Sequence, residues 1–217
     1  MIWVAEIGSN HKGNPSLAFQ MIREFAGAGA TVCKFQLGHP EQDPIRNIDP
    51  WAERAKDWCE YFGVEFLASI RSEEGLALAR KIGQKRYKIA YVTARDDLDL
   101  CEKIIADGKE TFIAAAPDFL KAPNVKHVFV VSKYPTYPED FKMPDSFPPH
   151  FGYSDHVHGI AACLMAAARG AKYIEKHVTL DPTEGSIRDN AFSATPDEFA
   201  KMVQIGNEME RLLNASV

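Results

Sequence analysis

Short, continuously apolar runs alternate along the chain with longer amphipathic ones. Residues 2–8, 31–36, 64–69, 86–90, 111–116, 125–131, 150–156 and 172–179 have the pattern of strands buried on both faces. Residues 16–30, 51–63, 72–83, 96–108, 159–171 and 195–215 repeat apolar positions at helical spacing. Gly63, Gly83 and Gly108 close three of these helices, and Thr195 followed by Pro196 opens the last. A short segment, 118–122, follows the fifth strand, and a proline-rich connection, 134–149, follows the sixth. Strand after strand trailed by a helix or a helix-sized connection predicts an α/β fold, a (β/α)₈ TIM barrel near the small end of its size range. A doubly wound open sheet is the alternative. It would place a glycine-rich phosphate loop after the first strand, and GSNHKG is not GxGxxG.

Composition narrows the picture. A chain of 217 residues with 46% hydrophobic content builds one compact domain, 1–217, with a full core. A net charge of −5 excludes the basic footprint of a nucleic-acid binder. No apolar run reaches the length of a membrane span, and the N-terminus lacks a signal-peptide pattern, so the expectation is a cytoplasmic protein with no membrane partner. Cys33, Cys59, Cys101 and Cys163 form no CxxC pair and are expected as buried free thiols.

Polar residues gather at one end of the predicted strands, where a barrel carries its active site. Strand one ends in Glu6, with Asn10 and His11 beyond it. Strand two ends in Lys34 and Gln36. Strand four carries Lys88 and is expected to end at Tyr91 and Thr93. Strand six ends at Ser132, Lys133 and Tyr134, strand seven at Ser154, Asp155 and His156, and strand eight at Glu175, Lys176 and His177. His156 and His177 end adjacent strands, roughly 4.8 Å apart, and are placed to share a divalent metal ion. Alternation puts Glu175 on the side of His177 and turns Lys176 toward the helices. Lys34 needs an anion, and Glu6 on strand one is expected to pair with it, with a substrate anion as a further partner. Arg188 and Asp189, in the polar loop after strand eight, are placed to close over the site. His39, His127 and His150 read as surface or structural residues, and His158 as a solvated loop residue.

AEIGSNHKG, GATVCKFQ, SKYPT, GYSDHVHGI, GAKYIEKHVTLD and DNAFSATPDEF occur in that order. Together they resemble the sialic acid synthase (N-acetylneuraminate synthase, NeuB-like) family from Ala5 to about Val203. The resemblance implies a barrel that condenses phosphoenolpyruvate with an N-acetylated sugar aldehyde, N-acetylmannosamine-like, and releases phosphate. It implies Mn²⁺ as cofactor, with Mg²⁺, Co²⁺ or Zn²⁺ as substitutes, held by His156 and His177. Carried over residue by residue, it makes Glu6, Lys34 and Asp189 catalytic. Asn10, Gln36, Lys88, Ser132, Tyr134, Ser154 and Arg188 become substrate-binding.

The sequence departs from the family's pattern in several places. The family's usual C-terminal antifreeze-like domain is not expected after the barrel, and the implied partner is then a homodimer mate or a separately encoded antifreeze-like domain. The strand-four motif reads KIAYVT, with Tyr91 and Thr93 where the family has a phosphate-binding Ser and an acidic sugar ligand. Strand three reads ASI at 68–70 instead of a TPF-type motif, and GPDH reads IRDN. Lys133 and Tyr91 are the candidates for rebuilding an anion site. Two alternatives therefore stand beside the synthase: a barrel with the same metal corner and an aldolase- or lyase-type reaction, and a non-catalytic barrel subunit.

Overall fold

The computed structural model describes residues 1–140 and 142–215. Eight parallel strands close into a barrel in chain order, which removes the open-sheet alternative. They are β1 (Ile2–Glu6), β2 (Val32–Leu37), β3 (Glu65–Ile70), β4 (Tyr87–Ile89), β5 (Thr111–Ile113), β6 (Val125–Val130), β7 (Gly152–Asp155) and β8 (Tyr173–His177). Around them lie α1 (Pro15–Gly27), α2 (Ala52–Tyr61), α3 (Glu73–Lys81), α4 (Tyr91–Asp96), α5 (Leu98–Ala106), α6 (Ala161–Ala168) and α7 (Pro196–Ala215). Among the described residues no helix is long and apolar enough to cross a membrane.

Strand alternation sorts the core into two parts. Outward positions such as Trp3, Cys33, Ile70 and Ile174 pack against the helices. Inward positions Val4, Val32, Leu67, Phe112, Val128 and Tyr173 form a separate apolar cluster inside the barrel. That cluster closes the N-terminal end, so only the C-terminal end is open to polar chemistry. All four cysteines are buried and free. Lys176 faces the helix layer as its parity requires. Its ammonium lies 2.6 Å from Asp155 Oδ2, and neither side chain is exposed. Tyr153 donates its hydroxyl to Asp155 Oδ1 at 2.7 Å.

Two expected strand ends are corrected. β4 stops at Ile89, and Ala90, extended at φ −73° and ψ 157°, turns the chain into α4. Tyr91 and Thr93 are therefore helical residues, and the carbonyl of Ala90 accepts from Ala94 N–H to close the first turn. The helix expected over 96–108 forms as α5, and it starts at Leu98 because the Asp97 side chain caps it at Leu100 N–H. β6 pairs with β7 only as far as Val130 opposite Ser154. Beyond it a tight turn, Lys133 N–H to Val131 O, carries Ser132 and Lys133 out to solvent.

Gly152 fits a crowded register. A Cβ there would lie 2.3 Å from the backbone oxygen of Tyr173, which cannot move without breaking the β7–β8 ladder. Gly152→Ala is expected to cost about 1–3 kcal/mol by overpacking. Urea unfolding reads it as a lower midpoint at unchanged slope.

Candidate active site

The mouth of the barrel holds a cavity of about 270 Å³. Its lining follows one rule: every strand contributes its inward-facing residues nearest the C-terminal end. Glu6 comes from β1, Lys34 and Gln36 from β2, Ser69 and then Arg71 from β3, and Lys88 from β4. Ser154 and His156 come from β7, and Glu175 and His177 from β8. The loops add Arg46, Tyr134, Arg188 and Asp189, and the start of α4 adds Tyr91.

The floor is an interlocked set of charges. Lys34 Nζ lies 2.6 Å from Glu6 and 3.6 Å from Glu175, and donates to Ser69 Oγ at 3.1 Å. Burial opposes its charge, but Glu175 and Glu6 reverse that and raise its pKa. Lys88 Nζ stands 3.9 Å from Glu175, and burial lowers its pKa. Glu175 accepts from Ser154 Oγ at 2.8 Å and from the Tyr173 hydroxyl. Burial pushes Glu175 up, yet Lys34, Lys88 and these hydroxyls hold it at about 2. Glu6 fares differently. Burial outweighs Lys34 and raises it to about 7, so it is the floor carboxyl that exchanges a proton near neutrality.

The two histidines come together at one edge of the floor, with ring centroids 5.5 Å apart. His156 Nδ1 lies 3.0 Å from the carbonyl of Val131, so this nitrogen carries the proton and Nε2 keeps its lone pair. Burial lowers the pKa of His156, and that of His177 to about 3. Among the described residues, His177 Nδ1 is buried without a hydrogen-bond partner. Two neutral imidazoles, one with an orphaned nitrogen, fit a divalent cation as a pair of donors. The described residues gather no cluster of three His, Cys, Asp or Glu side chains, so water or substrate would complete the shell. Asp189 sits across from them. Burial opposes its charge, but His177 and Arg188 hold its pKa below the ordinary carboxylate range.

Some expected residues lie elsewhere. Asn10 is a tether: its amide donates to Val178 O at 2.8 Å and to Ser193 Oγ at 2.9 Å, tying the β1 loop to the β8 loop away from the cavity lining. Ser132 is exposed and outside the lining. Lys133 is half-exposed and pairs with Asp140, so of the two proposed anion ligands only Tyr91 borders the cavity. His11 is buried against Trp51 and accepts from Gly13 N–H. His39 meets Gln36 Oε1 at 2.6 Å.

Arg46, Ser69 and Arg71 are polar lining residues that the sequence reading missed. Arg71 was within reach. It lies two positions past Ser69 on β3, and its N–H still pairs with Leu37 O, so the inward alternation runs on to it. Arg46 comes from an irregular loop, where no periodicity applies.

Residues 48–217, well over half of the chain, match the model of the NeuB family. N-acetylneuraminate-9-phosphate synthase of Homo sapiens is 28% identical over 257 aligned positions, covering 98% of this chain and 71% of that protein. Pseudaminic acid synthase of Campylobacter jejuni is 28% identical, covering 97% of this chain and 74% of that protein. A crystal structure of the N-acetylneuraminic acid synthetase of Leptospira borgpetersenii, in complex with citrate, superposes with a TM-score of 0.82 at 26% identity. It covers 98% of this chain and 84% of that one.

Proposed function

This chain belongs to the NeuB family, and from that premise we propose that its barrel condenses phosphoenolpyruvate with an N-acetylated amino-sugar aldehyde. The products are a sialic-acid-type 2-keto sugar acid and phosphate. The observation that carries this reading is the pairing of two buried lysines with two neutral histidines in one chamber.

The chemistry joins the enol carbon of the donor to the aldehyde carbon of the acceptor. A water then adds to the donor's C2, and phosphate leaves from the tetrahedral product. Lys34 and Lys88 face the donor's negative charge in a dry setting, where that charge is worth more than in water. Glu175 fixes Ser154 and Lys34 in place. Glu6 can accept the proton of the attacking water, because its pKa of about 7 matches the working range of a general base. Asp189, held ionised, is the second carboxylate within the chamber. His156 and His177 would hold Mn²⁺, or Mg²⁺, Co²⁺ or Zn²⁺ in its place, and when bound the cation supplies a Lewis acid for the aldehyde oxygen.

Titrating phosphoenolpyruvate into Mn²⁺-loaded and metal-free protein in a calorimeter tests the reading. Saturable, metal-enhanced binding is expected, followed by phosphate release with an N-acetylmannosamine-like aldehyde. Metal binding without phosphoenolpyruvate binding would overturn the synthase and leave the aldolase- or lyase-type alternative.

A further inference from the structure

The chamber has two tiers that differ in charge balance. On the floor, Lys34 and Lys88 face Glu6 and Glu175, one carboxylate for each ammonium. At the mouth, Arg46, Arg71 and Arg188 border the same cavity. Arg46 meets Asp43 at 2.6 Å, and Arg188 meets Asp189 at 3.0 Å. Arg71 has no carboxylate within ion-pair distance among the described residues. Burial and the nearby Arg46 lower its pKa, and the attraction of Tyr134 and Asp43 does not reverse this. One guanidinium is thus left over, turned inward and partly desolvated.

Such a group is costly unless an anion is brought to it, and its planar fork suits a carboxylate or phosphate. The height of Arg71 says which substrate brings the anion. It stands two strand positions above Ser69, roughly 7 Å up the wall at the rise of a β-strand. The donor is a small molecule that the floor lysines already engage. An acceptor with its aldehyde end on the floor reaches the mouth with its far end. The mouth is also walled there: the Arg188 guanidinium stacks 4.4 Å above the Tyr134 ring. Arg46, Arg188 and Asp189 continue into an outer cleft with Ser9 and Ser186.

We infer that Arg71, flanked by Arg46 and Arg188, forms a second oxyanion site at the mouth, and that this site takes a phosphate or carboxylate carried on the acceptor at the end remote from its aldehyde. The assignment of that anion to the acceptor rests on the condensation reading above.

Calorimetry on the full chain separates the possibilities, with N-acetylmannosamine, its 6-phosphate and a hexuronic acid as probes and phosphoenolpyruvate titrated independently. The 6-phosphate or the uronate is expected to bind about tenfold or more tighter than the neutral sugar, as a charge-assisted pair supplies. Whichever of the two shows the gain identifies the anion. Arg71→Gln should erase most of that gain, Arg188→Gln a smaller part, and Arg71→Lys should restore some of it. Phosphoenolpyruvate affinity of Arg71→Gln should move less than about threefold. Equal affinity for neutral and anionic sugars overturns the site. So does an Arg71→Gln protein that loses phosphoenolpyruvate as strongly as sugar phosphate, since Arg71 would then serve the donor. Arg71-dependent sugar-phosphate binding with no phosphoenolpyruvate binding at all supports the site while removing the condensation reading.

Discussion

Lys34→Met is expected to lower the unfolding free energy by about 3–5 kcal/mol near pH 8, the cost of stripping the partner from a buried charge. The loss is large because Lys34 serves two carboxylates at once, Glu6 at 2.6 Å and Glu175 at 3.6 Å, and all three are almost fully buried. Met replaces the stem and omits the charge, so packing changes little. The pH dependence identifies the cause. In the native protein Glu175, at about 2 against an ordinary 4.5, contributes stability that is present above pH 4.5 and lost as pH falls toward 2. Glu6, raised to about 7, does the opposite: folding is favoured near pH 4.5 and penalised as pH rises through 7. Without Lys34 both folded-state values rise, so the folded variant binds more protons than its unfolded chain across the weakly acid range. Its deficit should therefore shrink between pH 8 and pH 5. Urea unfolding of both proteins at the two pH values reads this directly. A deficit that is equal at both, or below about 1 kcal/mol as for exposed pairs, would mean that water reaches the cluster and screens it.

The sequence offered two partners for the charge of Lys34, Glu6 and a substrate anion, and the fold uses Glu6 and adds Glu175. Parity along β8 already placed Glu175 and His177 on one side and Lys176 on the other, because a strand's period of two survives any uncertainty about where it ends. Closure of the barrel was legible for a related reason: eight strand-sized apolar runs buried on both faces have few other arrangements. What failed was local. Tyr91 and Thr93 look like strand residues by composition, but β4 pairs over only three positions and the chain turns at Ala90. Ser132 and Lys133 follow a strand without continuing it, so the end-of-strand rule misplaced them. Asn10 has the chemistry of a ligand, and its amide is consumed by Val178 and Ser193, partners remote in sequence. Arg46 is invisible to periodicity because its loop has none.

The second large effect concerns the histidine pair. His177→Ala and His156→Ala are each expected to weaken Mn²⁺ binding by about a hundredfold or more. Removing a mere outer hydrogen-bond partner of a metal ligand already costs about 10–100-fold, and here one of only two imidazole donors is lost. The two substitutions should differ in the metal-free protein. His156 spends its Nδ1 proton on Val131 O, so its loss leaves a carbonyl unpaired. His177 has a buried Nδ1 with no partner among the described residues, so its removal relieves an unsatisfied polar atom and costs mainly its contact with Phe192. Metal-free His177→Ala should therefore unfold at a higher urea concentration than metal-free His156→Ala. In the presence of Mn²⁺ the native protein should gain stability by mass action while both variants gain none. Calorimetric titration with Mn²⁺ gives the affinities without any substrate. Undiminished Mn²⁺ affinity in His177→Ala would remove the two-histidine site, and with it the part of the proposed chemistry that polarises the aldehyde, while leaving the lysine floor untouched.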